Sequence, residues 1–263
     1  MENWLLKIEH VTKDFGGLRA LENIDLNLER GKTTGLIGPN GAGKTTLFNI
    51  VAGIYPSTEG RVFLEEKCIN GIPTYKRVEL GISRTFQLTR LFKEMTVLEN
   101  VMVGGNSWTS RNRIGASIAA MFNMPSVQRH AKEIHSVSME MLKTMGIEEL
   151  ANEIAGNLPY GQQRLVEIAR ALSTKPRLLL LDEPAAGLNP SEVESFKRTL
   201  RSIIAKHMIT VLIVEHDMKL VMSVCDAVCV LNVGKKIAEG APSEIARNEN
   251  VIKAYLGKEF QFD

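Results

Sequence analysis

One short run of residues constrains the fold of this chain more than any other feature. Gly38, Pro39, Asn40, Gly41, Ala42, Gly43, Lys44 and Thr45 fit the pattern G-x4-G-K-[ST]. Thr33 to Ile37 reads as a short strand leading into it, and Thr45 to Ile54 as a helix with Leu47, Ile50 and Val51 on one face. Glycines at these places let the backbone wrap closely, so that successive N–H groups point at phosphate oxygens. The helix adds its positive N-terminal end. Lys44 brings a mobile charge for β- and γ-phosphates, and Thr45 a hydroxyl for Mg²⁺. A buried strand before and an amphipathic helix after are what this mechanism requires, and they separate the run from a chance glycine-rich turn.

The other half of such a site stands far downstream. Leu178 to Leu181 is all apolar, as in a strand covered on both faces, and it ends in Asp182 and Glu183. The C-terminal end of a parallel strand opens at the ligand crevice. Asp182 is placed there to hold the Mg²⁺ shell, and Glu183 to polarise an attacking water as general base. Alone, this pair would read as a solvated turn. Thr210 to Val214 is another buried strand. Leu5 to His10, Leu21 to Leu28 and Val62 to Leu64 also have strand character, as does Asp226 to Leu231.

Between the two halves the pattern is helical, from about Val97 to Met145, broken by Gly104, Gly105 and Pro125. The best helix runs from Val127 to Met145, with Ala131, Ile134, Ser138, Met141, Leu142 and Met145 on its inner face. Gln162 to Ser173 is helical, with Leu165, Ile168, Ala169 and Leu172 inward. Asn189, Pro190 and Glu192 form a helix start with a capping box. The αβαβ order implies parallel strands with helices between them, a doubly wound α/β core interrupted by a helical insert.

Composition narrows the function. Of 263 residues, 44% are hydrophobic and 24% charged, and 32 basic against 30 acidic side chains give a net charge of +2. Neither a basic excess nor a basic stripe argues for a nucleic-acid partner. A membrane span needs ~20 mostly apolar residues, and the best stretch, Ile114 to Phe122, is too short. With Glu2 and Asn3 where a basic signal start would stand, the chain is expected in the cytoplasm. Cys68, Cys225 and Cys229 are expected as reduced, buried thiols rather than a metal site.

The phosphate loop, Gln87, the stretch Tyr160, Gly161, Gln162, Gln163, Arg164, the pair Asp182 and Glu183, and His216 occur in the order of an ABC transporter ATPase. The resemblance spans about Leu6 to Leu256. Thr85 to Gln87, Met95 to Val101, Asp182 to Pro190, Glu215 to Met222 and Ala254 to Gly257 make it closer still to the ATP-binding subunit of branched-chain amino acid importers. Closely similar ATPases serve urea or short-chain amide importers, and some ABC proteins are soluble and do not transport. The resemblance implies a P-loop NTPase (RecA-like) core with an antiparallel β subdomain and an inserted α-helical subdomain. The ATPase domain would cover 6–253, with core 1–95 and 158–240, helical subdomain 96–157 and a C-terminal helical tail at 241–263.

It further implies ATP and Mg²⁺ as cofactors, two membrane-spanning permease subunits, a second ATPase subunit (sister or self) and an extracytoplasmic solute-binding protein. The chain would lie peripherally on the inner face of the cell membrane. ATP contacts would come from Phe15, Gly38 to Thr46 and Gln87, with Phe15 stacking on adenine unless it is an ordinary core aromatic. Gln87 would sense Mg²⁺ and the γ-phosphate and link the site to the helical insert. Thr45, Gln87 and Asp182 would hold Mg²⁺, and Glu183 and His216 would be catalytic, His216 on the γ-phosphate. Tyr160, Gly161 and Gln162 would meet the ATP of the opposite subunit. Pro159 stands where the wider family has a serine, removing a hydroxyl donor worth roughly 1.5–3 kcal/mol; the branch resembled also carries Tyr-Gly-Gln-Gln at 160–163, so activity is compatible with the altered signature. Asn189 replaces the more usual aspartate. Trp108 to Met124 is expected to be either a loop touching the membrane subunits or an ordinary lobe loop.

Overall fold

A computed structural model of the chain describes residues 3–85, 90–109 and 125–256. Two sheets organise it. An antiparallel sheet has the order β2-β1-β4-β5, from β1 Trp4–Phe15, β2 Leu18–Glu29, β4 Glu59–Leu64 and β5 Lys67–Cys68. A mixed six-stranded sheet has the order β10-β9-β3-β8-β7-β6, from β3 Thr33–Ile37, β6 Ile82–Arg84, β7 Leu178–Asp182, β8 Thr210–Val214, β9 Ala227–Asn232 and β10 Lys235–Gly240. All but β10 run parallel. β3, β7 and β8 are buried at every residue, which explains their unbroken apolar runs.

Helices cover both faces. α1 Lys44–Ala52 follows β3 and packs its Leu47, Phe48 and Val51 under the antiparallel sheet, against Leu21, Ile24 and Leu26. It stops two residues earlier than the pattern suggests, because Gly53 takes a left-handed φ of 80°. α2 Thr74–Glu79 carries Arg77, whose buried guanidinium donates to the carbonyls of Ile50 and Val51 at 2.7 Å, Ile69 at 2.8 Å and Ile72 at 2.9 Å. This cation sits at the negative end of α1, opposite the phosphate loop.

α3 Val97–Thr109, α4 Pro125–Met145 and α5 Tyr160–Ser173 pack together, joined by α6 Pro190–His207 in one apolar cluster over the other face of β7 and β8. On α4, Ile134, Ser138, Met141, Leu142 and Met145 are buried as expected, but Ala131 is exposed, as are its neighbours from 128 to 133. Leu165 on α5 is only partly buried, while Arg164 and Glu167 are inside. The chain continues through α7 Met218–Val224, α8 Pro242–Ile245 and α9 Glu249–Leu256. Cys229 is buried and Cys225 partly so, but Cys68 is exposed, because β5 is an edge strand of only two residues. The loop expected at Trp108 to Met124 lies outside the described residues, apart from the backbone of the last turn of α3.

Candidate active site

The phosphate loop starts where β3 leaves the sheet. Gly38 has φ 149°, and a Cβ there would sit 2.1 Å from the Leu231 carbonyl oxygen. Gly43 has φ 99°, and its Cβ would lie 2.7 Å from Leu21 Cδ2 and 2.8 Å from the Ala20 carbonyl. Both positions therefore demand glycine, through conformation and through space. Lys44 is 6% exposed. Its Nζ donates to the carbonyls of Gly38 at 2.7 Å and Pro39 at 3.0 Å, so its charge is held inside the loop. The Gly234 amide donates to the Ala42 carbonyl at 3.1 Å and ties the loop to the β9–β10 hairpin. Thr45 is exposed at the helix start.

A cleft of about 610 Å³ lies over this loop, lined by Phe15, Asn40 to Thr46, Glu183, His216 and Gly234. Phe15 is 41% exposed, edge-on to Tyr55 with ring centroids 5.3 Å apart, and Lys13 Nζ stands 4.8 Å over its ring. It is not a core aromatic; its free face is available to a planar ligand.

β7 delivers the two carboxylates. Asp182 is buried at the strand end, where its amide donates to Thr85 Oγ1 at 3.3 Å. Burial raises its pKa above the usual 3.8, and Arg84, 4.0 Å away, opposes the shift. Glu183 has a left-handed backbone, φ 46°. Its amide donates to the Val214 carbonyl at 2.9 Å, and its own carbonyl accepts from Arg164 Nη2 at 3.1 Å. The same guanidinium donates to the Asp182 carbonyl and pairs with Glu167 at 2.6 Å. The Glu183 carboxylate then meets His216 Nε2 at 2.8 Å. Glu215 underlies this pair: its buried carboxylate accepts from the amides of Ala185 at 2.9 Å and His216 at 3.1 Å, and burial raises its pKa.

Thr45 and Asp182 are oxygen donors, the hard set that suits Mg²⁺, an ion that keeps most of its shell for waters and phosphates. The desolvated Asp182 carboxylate gains from a cation beside it. These residues fit the metal.

Tyr160, Gly161 and Gln162 begin α5 and do not line the phosphate-loop cleft. Gly161 and Gln162 instead border a small cavity of about 90 Å³ with Leu188, Glu192 and Phe196. Tyr160 lies over Gly187, where an added Cβ would come within 2.9 Å of its ring. Pro159 precedes the helix without any side-chain cap. Asn189 caps α6 with the full reciprocal box: Glu192 N to Asn189 Oδ1 is 3.0 Å, and Asn189 N to Glu192 Oε2 is 2.8 Å. Gln87 lies outside the described residues. Sequence reading assigns no site role to Arg84, Arg164, Glu167 or Glu215, although Arg164 and Glu215 stand inside quoted motifs. Their one signal was position, each lying within or beside a motif.

The fold and cleft define a phosphate-loop ATPase of the nucleotide-binding cassette type. Comparison with known proteins agrees. The ABC transporter family model matches residues 21–186, and that of branched-chain amino acid ATP-binding cassette transporters matches 235–261. The high-affinity branched-chain amino acid transport ATP-binding protein BraF of Pseudomonas aeruginosa is 44% identical over 258 residues, 98% of this chain and all of that protein. An ATP-binding cassette of an ABC transporter solved in its ADP conformation aligns with TM-score 0.82 and 32% identity, over 97% of this chain and 99% of that one. A dimeric bacterial ABC transporter cassette aligns with TM-score 0.75 and 27% identity, over 90% and 98% of the respective chains. The chain belongs to the ATP-binding cassettes of ABC transporters.

Proposed function

We propose that this chain is the ATP-hydrolysing subunit of an importer of branched-chain amino acids. It works beneath two permease subunits with a second cassette, on the inner face of the membrane, and an extracytoplasmic protein delivers the solute. The observation that carries the reading is the meeting of Lys44, Glu183 and His216 at one end of one sheet. The likeness to BraF, named for branched-chain amino acid transport, supports the solute class.

The geometry suits a defined sequence of events. Phe15 offers a face to the adenine ring, and the amides of Gly41 to Thr46 and Lys44 hold the phosphates. Lys44 exchanges the carbonyls of Gly38 and Pro39 for phosphate oxygens. Mg²⁺, held by Thr45 and Asp182 with Gln87, would neutralise charge on the β- and γ-phosphates. Glu183 takes a proton from the attacking water, while His216 fixes the carboxylate and reaches toward the γ-phosphate. Gly161 and the start of α5, turned away from this chain's own cleft, present a helix N-terminus to the ATP of the paired subunit. Closure therefore requires nucleotide on both faces, and loss of the γ-phosphate reopens the pair.

Uptake of leucine, isoleucine and valine by cells lacking the chain tests this. Wild type restores uptake and Lys44→Ala does not. Restoration of urea uptake instead, with branched-chain uptake unaffected by the deletion, would contradict the assignment.

A further inference from the structure

The ladder between β7 and β8 ends at the pairing of Asp182 with Val214. Glu183 and His216 both stand beyond it, on the turns that follow the two strands. Each turn has a local hold. The Glu183 amide donates to the Val214 carbonyl at 2.9 Å, and on the other side Asp217 Oδ1 caps α7, accepting from the amides of Lys219 at 2.8 Å and Leu220 at 3.2 Å. Pro184 has no amide hydrogen to give. The next amide, Ala185, crosses to the β8 side and donates to Glu215 Oε1 at 2.9 Å. The second oxygen of that carboxylate accepts from the His216 amide at 3.1 Å. Glu215 is 4% exposed, so its carboxylate lies between the turns rather than in water.

We propose that Glu215 is a positioning residue for hydrolysis, clamping the turn that carries Glu183 to the turn that carries His216. The proposal rests on the reading of Glu183 as general base with His216 beside it, and deepens that reading. Two N–H donors converge here from different segments, and a carboxylate has an acceptor for each. A glutamine has one acceptor, and its amide nitrogen would face the other N–H donor-to-donor. The clamp also complements Arg164. The guanidinium grips the turn after β7 through the carbonyls of Asp182 and Glu183, while Glu215 grips it through the Ala185 amide. Glu183 has a left-handed φ of 46°, a backbone state that persists where its surroundings over-determine it.

The consequence is confined to one step. The phosphate cradle belongs to the loop between β3 and α1, so nucleotide affinity does not pass through the clamp. Hydrolysis does, because Glu183 Oε1 and His216 Nε2 keep their 2.8 Å contact only while the two turns stay in register. Loss of one hydrogen bond to a charged group, felt only in that step, slows it by roughly 10- to 100-fold.

The test uses the full chain with its paired subunit, ATP and magnesium. Glu215→Gln keeps the size of the side chain and satisfies one of the two amides. Phosphate release in a single turnover should slow roughly 10- to 100-fold while ATP affinity stays at the wild-type value. In ¹⁵N-histidine spectra of the nucleotide-free chain, the His216 ring signal, assigned with His216→Ala, should shift as the Glu183 contact loosens. In a Glu183→Gln background, Glu215→Gln should slow release no further, because the clamp acts through Glu183. Wild-type release by Glu215→Gln overturns the proposal, as does slowed release with an unmoved His216 signal. ATP affinity that falls in step with release also overturns it, since that marks a general structural role, and so does a full additional slowing in the Glu183→Gln background. Glu183→Gln alone releasing phosphate at the wild-type rate would remove the general base, and the proposal with it; a slow Glu183→Gln beside a wild-type Glu215→Gln removes the clamp alone.

Discussion

Arg164 offers the sharpest dissection of structure from catalysis. Its side chain is fully buried, as is that of its partner Glu167, 2.6 Å away. Its second nitrogen serves the backbone carbonyls of Asp182 and Glu183, the second at 3.1 Å. Arg164→Met removes the cation from beside a buried carboxylate, which costs about 3–5 kcal/mol. The two carbonyls lose their charged donor as well, for roughly 1–3 kcal/mol more. Against a typical domain stability of about 5–15 kcal/mol, the single variant should be marginal. Adding Glu167→Leu removes the buried carboxylate that has lost this cation, and replacement of a buried ion pair by apolar side chains is often near neutral. The double variant should therefore recover most of the unfolding free energy in urea. ATP hydrolysis should not recover, because the Asp182 and Glu183 carbonyls then lack the guanidinium that fixes the left-handed turn at Glu183, and the Val214 and Ala186 backbone bonds that remain do not replace it. A single variant within about 1 kcal/mol of wild type would refute the energetic argument. A double variant with full hydrolysis would refute the anchoring role.

Two further outcomes are expected. Asn189→Ala removes the capping box of α6 and should lower stability by about 1 kcal/mol in denaturant titration, with nucleotide binding unchanged. Glu215 has its pKa raised by burial, so its share of stability is full below its unfolded value and is lost as pH rises through the folded one. Wild-type stability relative to Glu215→Gln, measured without nucleotide, should accordingly fall as pH rises above the ordinary glutamate value of about 4.3; a flat difference would show that Glu215 is not desolvated.

The parts of the site that sequence disclosed are those whose mechanism fixes local order. A strand, three glycines, a lysine and a helix must be consecutive to wrap phosphate, and a buried strand must end in its carboxylates. The missed parts act across the chain. Arg164 and Glu167 interrupt an apolar helical face, so periodicity reads them as solvated. α5 is in fact enclosed between the sheet and the helical insert, and their partners include each other and two carbonyls on β7 and the turn after it. Glu215 reads as a polar residue after a strand until the fold sets its carboxylate on the amides of Ala185 and His216. Ala131 obeys the inner-face spacing of α4, but the first turns of that helix extend beyond its neighbours. The short strands β5 and β6 carry too few residues for alternation to declare itself. Phe15 could have been core or ligand face from sequence, and only its exposure at the cleft decides.

The account depends on Glu183 readying water beside phosphates that Lys44 and the loop amides hold. Phosphate release in a single turnover by Glu183→Gln, with its paired subunit, ATP and magnesium, tests this most directly. ATP should bind as tightly as in wild type while release slows by about 10²- to 10⁴-fold, leaving a closed pair loaded with ATP. Release at the wild-type rate would contradict it.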